Sequence, residues 1–292
     1  MAIGFYPGCS LKGSAREYTE SLFAVTKKLG IAIQEINDWN CCGATAAHNL
    51  NHELALSLPT RILALAEKQN MTEIVVPCAA CYSRLATTAY ELNENEELRT
   101  KISAIIDMPY NGNVQILNVL QFIEKYISPK LDEVELKKID IKAACYYGCL
   151  LVRPHQILHF DRVEDPQIMD EVMIKLGANA LEWPFKTECC GAGLSISKTD
   201  LVGKLSGKIV NEAYEREADA IIVACPMCHS NLDMRRPSIN KFVGKNIKTP
   251  VIYITQAIGL ALGIDEKELG MNRHFVPTSF KDRVFILDRK EN

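Results

Sequence analysis

Ten of the eleven cysteines of this chain fall into a pattern that occurs twice. Each copy has a lone cysteine, then two adjacent cysteines before a glycine, then a Cys-x-x-Cys motif. The surrounding residues repeat as well, because "EIVVPCAACYSRL" in the first half matches "AIIVACPMCHSNL" in the second. Self-similarity on this scale indicates two related domains in tandem. The first copy consists of Cys9, Cys41, Cys42, Cys78 and Cys81, and the second of Cys149, Cys189, Cys190, Cys225 and Cys228.

Both halves alternate between strand-like and helix-like segments. The apolar runs "AIGFYP" and "KAACYY" end just before the lone cysteines, and "EIVVPC" and "AIIVAC" end at the Cys-x-x-Cys motifs. Alternation of this kind predicts an α/β fold with small, mostly parallel sheets flanked by helices, whose crevices lie at the carboxyl ends of the strands. We predict two domains, residues 1–133 and residues 134–292 with the C-terminal tail, divided within the proline-containing, charged stretch 127–140.

Composition narrows the function classes. The net charge of -3 gives no electrostatic reason to expect a nucleic-acid partner. "MAIGFYPGCS" has no secretory pattern, and the apolar stretch "VIYITQAIGLALGI" is too short for a membrane span, so we expect a cytoplasmic protein. In a reducing compartment an odd number of cysteines favours metal binding or redox chemistry over disulfides.

The five cysteines of each copy of the pattern exceed the four ligands of a structural zinc ion. Adjacent cysteines are awkward ligands for one small ion, whereas a cluster of several irons lets both sulfurs bind or bridge neighbouring metal atoms. This favours a polynuclear iron–sulfur centre, while a zinc-binding module remains open on spacing alone. No CxxCxxCxxxCP run is present, so electrons must come from another protein.

Three stretches, "FYPGCSL", "YYGCLLVRP" and "CPMCHSNLD", make the chain resemble the cysteine-rich domain pair of the heterodisulfide reductase B subunit of methanogenic archaea, from Gly4 to about Leu262. The resemblance implies a pseudo-twofold arrangement with two noncubane [4Fe-4S] clusters facing each other across the domain interface, ligated by the two cysteine sets. It implies reduction of the coenzyme M–coenzyme B heterodisulfide in methanogenesis. The expected partners are the ferredoxin-like C subunit and the flavin-containing A subunit of that enzyme, together with a hydrogenase or formate dehydrogenase.

Related domain pairs occur in other oxidoreductases, so the domain type leaves the substrate open. The alternatives are an iron–sulfur subunit of a glycolate- or lactate-oxidising complex or of a thiol:fumarate reductase.

The substrate that the resemblance implies carries a sulfonate, a phosphate and a carboxylate, so we expect cationic groups beside the ligand cysteines. The candidates are Lys12, Arg84, Arg153, His155 and His229. The eleventh cysteine, Cys145, lies outside the pattern within a strand-like run, where we expect a buried structural thiol. The "GAG" at residues 191–193 does not complete a dinucleotide-binding motif, because Ile196 occupies the place of the third glycine.

Overall fold

The computed structural model of the protein describes residues 3–44 and 47–286. The first half contains a four-stranded parallel sheet in the order β2-β1-β3-β4. Its strands are β1 (Ile3–Phe5), β2 (Ile33–Glu35), β3 (Glu73–Val76) and β4 (Gln115–Asn118). Its helices are α1 (Gly8–Lys12), α2 (Arg16–Lys28), α3 (Ala47–Leu50), α4 (His52–Lys68), α5 (Ala79–Glu94), α6 (Glu96–Ile105), α7 (Val119–Phe122), a π-helical turn (Ile123–Ile127) and α8 (Ser128–Leu131).

The second half repeats this plan with a parallel sheet in the order β7-β6-β8-β9. Its strands are β6 (Lys142–Tyr146), β7 (Asn179–Ala180), β8 (Ala220–Val223) and β9 (Val251–Tyr253), and β5 (Lys137–Ile139) pairs antiparallel with β10 (Val284–Ile286). Its helices are α9 (His155–Leu158), α10 (Ile168–Lys175), α11 (Thr199–Glu215), α12 (Pro226–Asp233), α13 (Arg236–Val243) and α14 (Ile254–Ala261), with 3-10 turns at Ala192–Leu194, Met271–Arg273 and Lys281–Arg283.

The inner strands β3 and β8, which lead into the Cys-x-x-Cys motifs, contain buried apolar runs. Ile74, Val75 and Val76 of β3 are fully buried, as are all four residues of β8. A parallel sheet covered by helices on both faces requires such runs, because neither face of a central strand meets water. The edge strand β2 is half-exposed and has the mixed sequence "IQE".

Each half packs one helix against the other half, and the two contacts involve corresponding elements. Helix α5 of the first half packs on α9 of the second, while α12 of the second packs on α1 of the first. Each helix that begins within a Cys-x-x-Cys motif therefore lies against the short helix at or just after the lone cysteine of the other half. The prediction of an α/β fold with two tandem related domains is confirmed.

A second contact between the halves joins α2 to the β9–α14 segment. The rings of Tyr18 and Tyr253 stack with centroids 4.0 Å apart. The Tyr18 hydroxyl donates to the carbonyl oxygen of Ala224 at 3.0 Å, and the hydroxyls of Ser21 and Thr255 lie 2.6 Å apart. All of these groups are buried, so the interface is part of the core.

The chain passes from the first half to the second between the end of α8 at Leu131 and the start of β5 at Lys137. The predicted boundary at residues 133 and 134 lies in this segment and stays a prediction. Across residues 3–44 and 47–286, no helix is both long enough and apolar enough to cross a membrane.

Candidate metal centre

The three cysteine segments of each half follow three neighbouring strands. In the first half they come after β2, β1 and β3, and in the second after β7, β6 and β8. In a sheet of this order the chain leaves the two central strands toward opposite faces, which opens a crevice at their carboxyl ends. The lone cysteine and the Cys-x-x-Cys motif therefore lie on either side of this crevice.

The ten cysteines divide in the same way in both halves. The second cysteine of each adjacent pair and both cysteines of each Cys-x-x-Cys motif are buried, whereas the others are exposed or, in the case of Cys149, half-buried. The Sγ atoms of Cys42 and Cys81 are 3.2 Å apart, and those of Cys190 and Cys228 are 3.7 Å apart. None of the cysteines forms a disulfide. Each half thus presents an inner group of three sulfurs and an outer group of two.

Backbone amides face these sulfurs. The N–H of Gly43 donates to the Cys41 sulfur at 3.5 Å, and the N–H of Gly191 donates to the Cys189 sulfur at 3.3 Å. Both glycines have a positive φ, of 72° and 81°, a backbone conformation that glycine adopts without steric strain. Amide donors of this kind stabilise a thiolate, and so suit a site that collects negative charge.

Contacts among the thiols shift their pKa values in opposite directions. Hydrogen bonds from the thiols of Cys41 and Cys81 lower the pKa of Cys42 to about 3, while the bond that Cys81 donates to Cys42 raises the pKa of Cys81. In the second half a hydrogen bond from the Cys149 thiol lowers the pKa of Cys189 to about 6. The sulfurs of each half are close enough to compete for protons, as expected for the ligands of one shared metal site.

The two sets meet at the domain interface. Cys78 of the first half lies beside Cys225 of the second: Cys225 raises the pKa of the Cys78 thiol, whereas the thiols of Cys228 first and Cys78 second lower the pKa of Cys225. The backbone amide of Ala79, at the start of α5, lies near the Cys225 sulfur and also helps to lower the pKa of Cys225. A first-half helix therefore contributes a donor to the second-half site.

Tyr6 and Tyr146 are site residues that the sequence analysis missed. Each lies three residues before the lone cysteine and beside four thiols of its own half. Burial first, and then these thiols, raise the pKa of both phenols well above the usual range. Their hydroxyls donate to the carbonyl oxygens of Asn40 at 2.8 Å and Glu188 at 2.6 Å, the residues just before the paired cysteines. The available signal was the recurrence of Tyr at one offset in both halves.

The donor set fits a multinuclear sulfur-ligated group. Thiolates are soft ligands that select iron–sulfur clusters or zinc over hard cations. The glycine before each lone cysteine keeps space open, since a Cβ on Gly8 would lie 3.2 Å from the Cys81 sulfur and one on Gly148 would lie 2.9 Å from the Cys228 sulfur. Within the described ranges, no three or more His, Cys, Asp or Glu side chains are arranged to hold one metal ion. The fit thus lies in the number and grouping of the sulfurs.

Three predicted cationic residues lie at the edge of the cysteine sets. Lys12 ends α1 and pairs with Glu35 at 2.7 Å. The guanidinium of Arg153 pairs with Glu164 at 2.9 Å, and its charge helps to lower the pKa of Cys189. Arg84, on α5, contributes similarly to the lowered pKa of Cys42. Arg84 and Arg153 are therefore near the thiols, one in each half.

The two predicted histidines differ in position. His155 begins α9, the helix that packs on α5, and is exposed. His229 lies in the core instead, stacked on Tyr253 with its Nε2 3.1 Å from the carbonyl oxygen of Val251. Burial lowers the pKa of His229 to about 3, so its imidazole is neutral. This ring faces the sheet, and its predicted role in substrate binding stays a prediction.

Cys145 is fully buried in β6, where burial raises the pKa of its thiol. Its carbonyl oxygen accepts a hydrogen bond from the Trp183 indole at 2.9 Å. By position in the repeat it corresponds to Phe5, another fully buried residue. These features agree with the expected structural thiol.

Comparison with known proteins identifies the same pair of cysteine-rich domains. A family model described as a cysteine-rich CCG domain matches residues 3–86 and again residues 143–233. The chain is 30% identical over 277 residues to the 8-methylmenaquinol:fumarate reductase membrane anchor subunit of Wolinella succinogenes, covering 94% of this chain and 96% of that one. It is 27% identical over 281 residues to the B subunit of the ferredoxin/F(420)H(2)-dependent CoB-CoM heterodisulfide reductase of Methanosarcina acetivorans, covering 94% and 93%.

Among solved structures, a hypothetical protein from Helicobacter pylori superposes with a TM-score of 0.76 at 13% identity. The alignment covers 96% of this chain but only 52% of that one, so this chain spans about half of its length. At this identity the likeness concerns the fold alone.

Proposed function

Since the chain belongs to the cysteine-rich CCG domain family and carries the domain twice, we propose that it is an iron–sulfur subunit of a multi-subunit oxidoreductase. In this proposal each half holds one noncubane [4Fe-4S] cluster with its five cysteines. The observation that carries the proposal is that two equal sets of five sulfurs meet at one domain interface. A relative named as the B subunit of a heterodisulfide reductase supports the oxidoreductase class.

The proposed reaction is reductive cleavage of the coenzyme M–coenzyme B heterodisulfide. Breaking the S–S bond takes up two electrons and two protons and gives two thiols. When bound, an iron–sulfur cluster supplies one electron at a time, so two clusters supply the pair. The buried cysteines of each half anchor the site, and the exposed ones leave its outer side open to a substrate sulfur.

Cationic side chains beside the thiols would hold the anionic ends of this substrate. Arg84 and Arg153 contribute positive charge near the adjacent cysteine pairs, and Lys12 and His155 lie farther out on α1 and α9. The electron donors in this proposal are the ferredoxin-like C subunit and the flavin-containing A subunit, in a complex with a hydrogenase or formate dehydrogenase.

A second candidate function has its own support. The relative that is 30% identical is named as a subunit of an 8-methylmenaquinol:fumarate reductase. In that case the same two sites would pass electrons in a fumarate-reducing complex, and the chain would not itself cleave a disulfide.

The test begins with protein purified without oxygen. We expect about eight iron and about eight sulfide per chain, whereas about two zinc ions and no visible absorption would support a zinc module. With a reduced viologen dye as donor, the holoprotein should reduce the heterodisulfide. Dye oxidation by fumarate in the assembled complex, with the heterodisulfide left intact, would favour the second candidate.

Cys9→Ala and Cys149→Ala separate the two sites. Each variant should lose about half of the iron, keep the other cluster and lose heterodisulfide reduction, because both electrons are needed. Full activity in either variant would exclude the two-cluster reaction.

A further inference from the structure

A cleft of about 480 Å³ lies between the two halves. One wall comes from the first half, from α1 and the turn after it, and carries Ser10 and Ser14. The other comes from the second half, mainly from α12. The cleft is lined by Ser10, Ser14, Ser195, Met227, Ser230, Asn231, Met234 and Arg235. The only full charge among these side chains is positive.

Arg235 is held in this cleft by groups that leave its charge uncompensated. Its Nη2 donates to the carbonyl oxygen of Ser195 at 2.5 Å, and its Nε donates to the Oδ1 atom of Asn231 at 3.3 Å. These bonds use two of the five N–H groups of a guanidinium, so three remain. No carboxylate pairs with Arg235 in the part of the chain that the structure describes. A fixed, half-buried guanidinium with spare donors is a typical oxyanion ligand.

The cleft borders both sets of cysteines. Ser10 follows Cys9 on the same short helix. On the other wall, the Nδ2 atom of Asn231 donates to the carbonyl oxygen of Cys190 at 3.1 Å and lies 3.7 Å from the Cys190 sulfur. Met227 lies within the second Cys-x-x-Cys motif. A ligand in the cleft would thus touch residues adjacent to both sites.

We propose that this cleft binds the oxyanion end, a sulfonate, phosphate or carboxylate, of a thiol or disulfide substrate, with Arg235 as its main ligand. The serine hydroxyls of both walls supply further donors. The inference rests on the proposed function, since it places the substrate tail beside the sulfurs that would reduce its disulfide.

Comparison of the two halves of the internal repeat supports a substrate with two different anionic ends. In the first half Arg84 stands at the position of Asn231, and Thr88 stands at the position of Arg235. These two arginines therefore occupy repeat positions four residues apart, Arg84 on α5 and Arg235 in the turn between α12 and α13. A disulfide with two different anionic arms matches two cationic groups placed differently about the pseudo-twofold axis.

The test measures binding to the holoprotein without turnover. The probes are 2-mercaptoethanesulfonate and its neutral counterpart 2-mercaptoethanol, titrated by calorimetry under anaerobic conditions. We expect wild type to bind the sulfonate more tightly, and Arg235→Gln to weaken sulfonate binding roughly 10- to 100-fold while binding of the neutral thiol is unchanged. Arg235→Lys should recover part of the affinity, and Arg216→Gln, outside the cleft, should match wild type.

A second variant tests the cleft without removing Arg235, in case Arg235→Gln impairs folding. Ser14 lies on the opposite, exposed wall, so Ser14→Asp adds a negative charge to the cleft while every contact of Arg235 is kept. It should weaken sulfonate binding, whereas the uncharged Ser14→Asn should not. Equal binding of both probes by wild type, or unchanged selectivity in Arg235→Gln and Ser14→Asp, would overturn the inference. Selective sulfonate binding without heterodisulfide reduction would instead uphold the cleft and reject the proposed reaction.

Discussion

At the scale of single residues, Gly148 shows how tightly the candidate metal centre is built. It adopts φ 72°, and an added Cβ would lie 2.9 Å from the Cys228 sulfur. Gly148→Ala should therefore displace this buried cysteine and reduce the iron content of the holoprotein, by up to about half, with the first-half cluster retained. Metal analysis of the anaerobically purified variant measures this directly.

Gly244→Ala is the matched control for this prediction. Gly244 also has a positive φ, of 73°, but a Cβ there would meet nothing within 4 Å. Both substitutions cost about 1 kcal/mol for an alanine in the left-handed region, so both should lower the melting temperature. Equal iron content in the two variants would show that the space beside Cys228 does not matter to the cluster.

At the scale of helices and strands, the sequence predicted the elements that have a clear local pattern, above all the inner strands. The inner strands β3 and β8 are continuous apolar runs, and both were expected to end at a Cys-x-x-Cys motif. Strands β2 and β7 went unnoticed because they are short edge strands of three and two residues. The β5–β10 pair joins residues almost at opposite ends of the second half, and no local periodicity reports such a pairing.

The contact of α2 with β9 leads to a prediction about pH. Glu17 on α2 is buried, which raises the pKa of its carboxyl above 4.5 even though the Tyr253 hydroxyl donates to it at 3.3 Å. Its other charged neighbours are Glu20 and Arg273. The folded state therefore holds this proton more tightly than the unfolded state. This stabilisation is complete below pH 4.5 and is lost as the pH rises through the folded-state pKa.

Glu17→Gln removes that loss, because its amide stays neutral. The melting temperature of the variant holoprotein should fall less than that of wild type as the pH rises from 4.5 to neutral, and at neutral pH it should be the higher of the two. Glu20→Gln, which changes a half-exposed neighbour paired with Arg273, should keep most of the wild-type pH dependence, because burial is the largest cause of the raised pKa of Glu17 and the charge of Glu20 a smaller one. Parallel melting curves for wild type and Glu17→Gln would contradict the assigned role of burial.

At the scale of the whole molecule, the parts of the site that involve both halves were the ones hidden from the sequence. The ten cysteines could be grouped from spacing, but the Cys78–Cys225 contact joins residues that only the packing of two domains brings together. The cleft around Arg235 likewise combines serines from both halves. His229 shows that neighbours in sequence can face different ways, since Cys228 is a predicted ligand while the ring of His229 points from α12 toward Val251 of the sheet.

The contact between Cys78 and Cys225 predicts that the two sites are not independent. Cys149 is half-buried at the outer side of the second set, whereas Cys225 touches both the Cys78 thiol and the Ala79 amide of the first half. Cys149→Ser and Cys225→Ser should each reduce the iron content to about half. Only Cys225→Ser should also change the electron paramagnetic resonance spectrum of the remaining first-half cluster, because only there does a neighbour of Cys78 change. If both variants leave identical first-half spectra, with iron and sulfide matched between the samples, the sulfur contact across the interface has no influence on the first site.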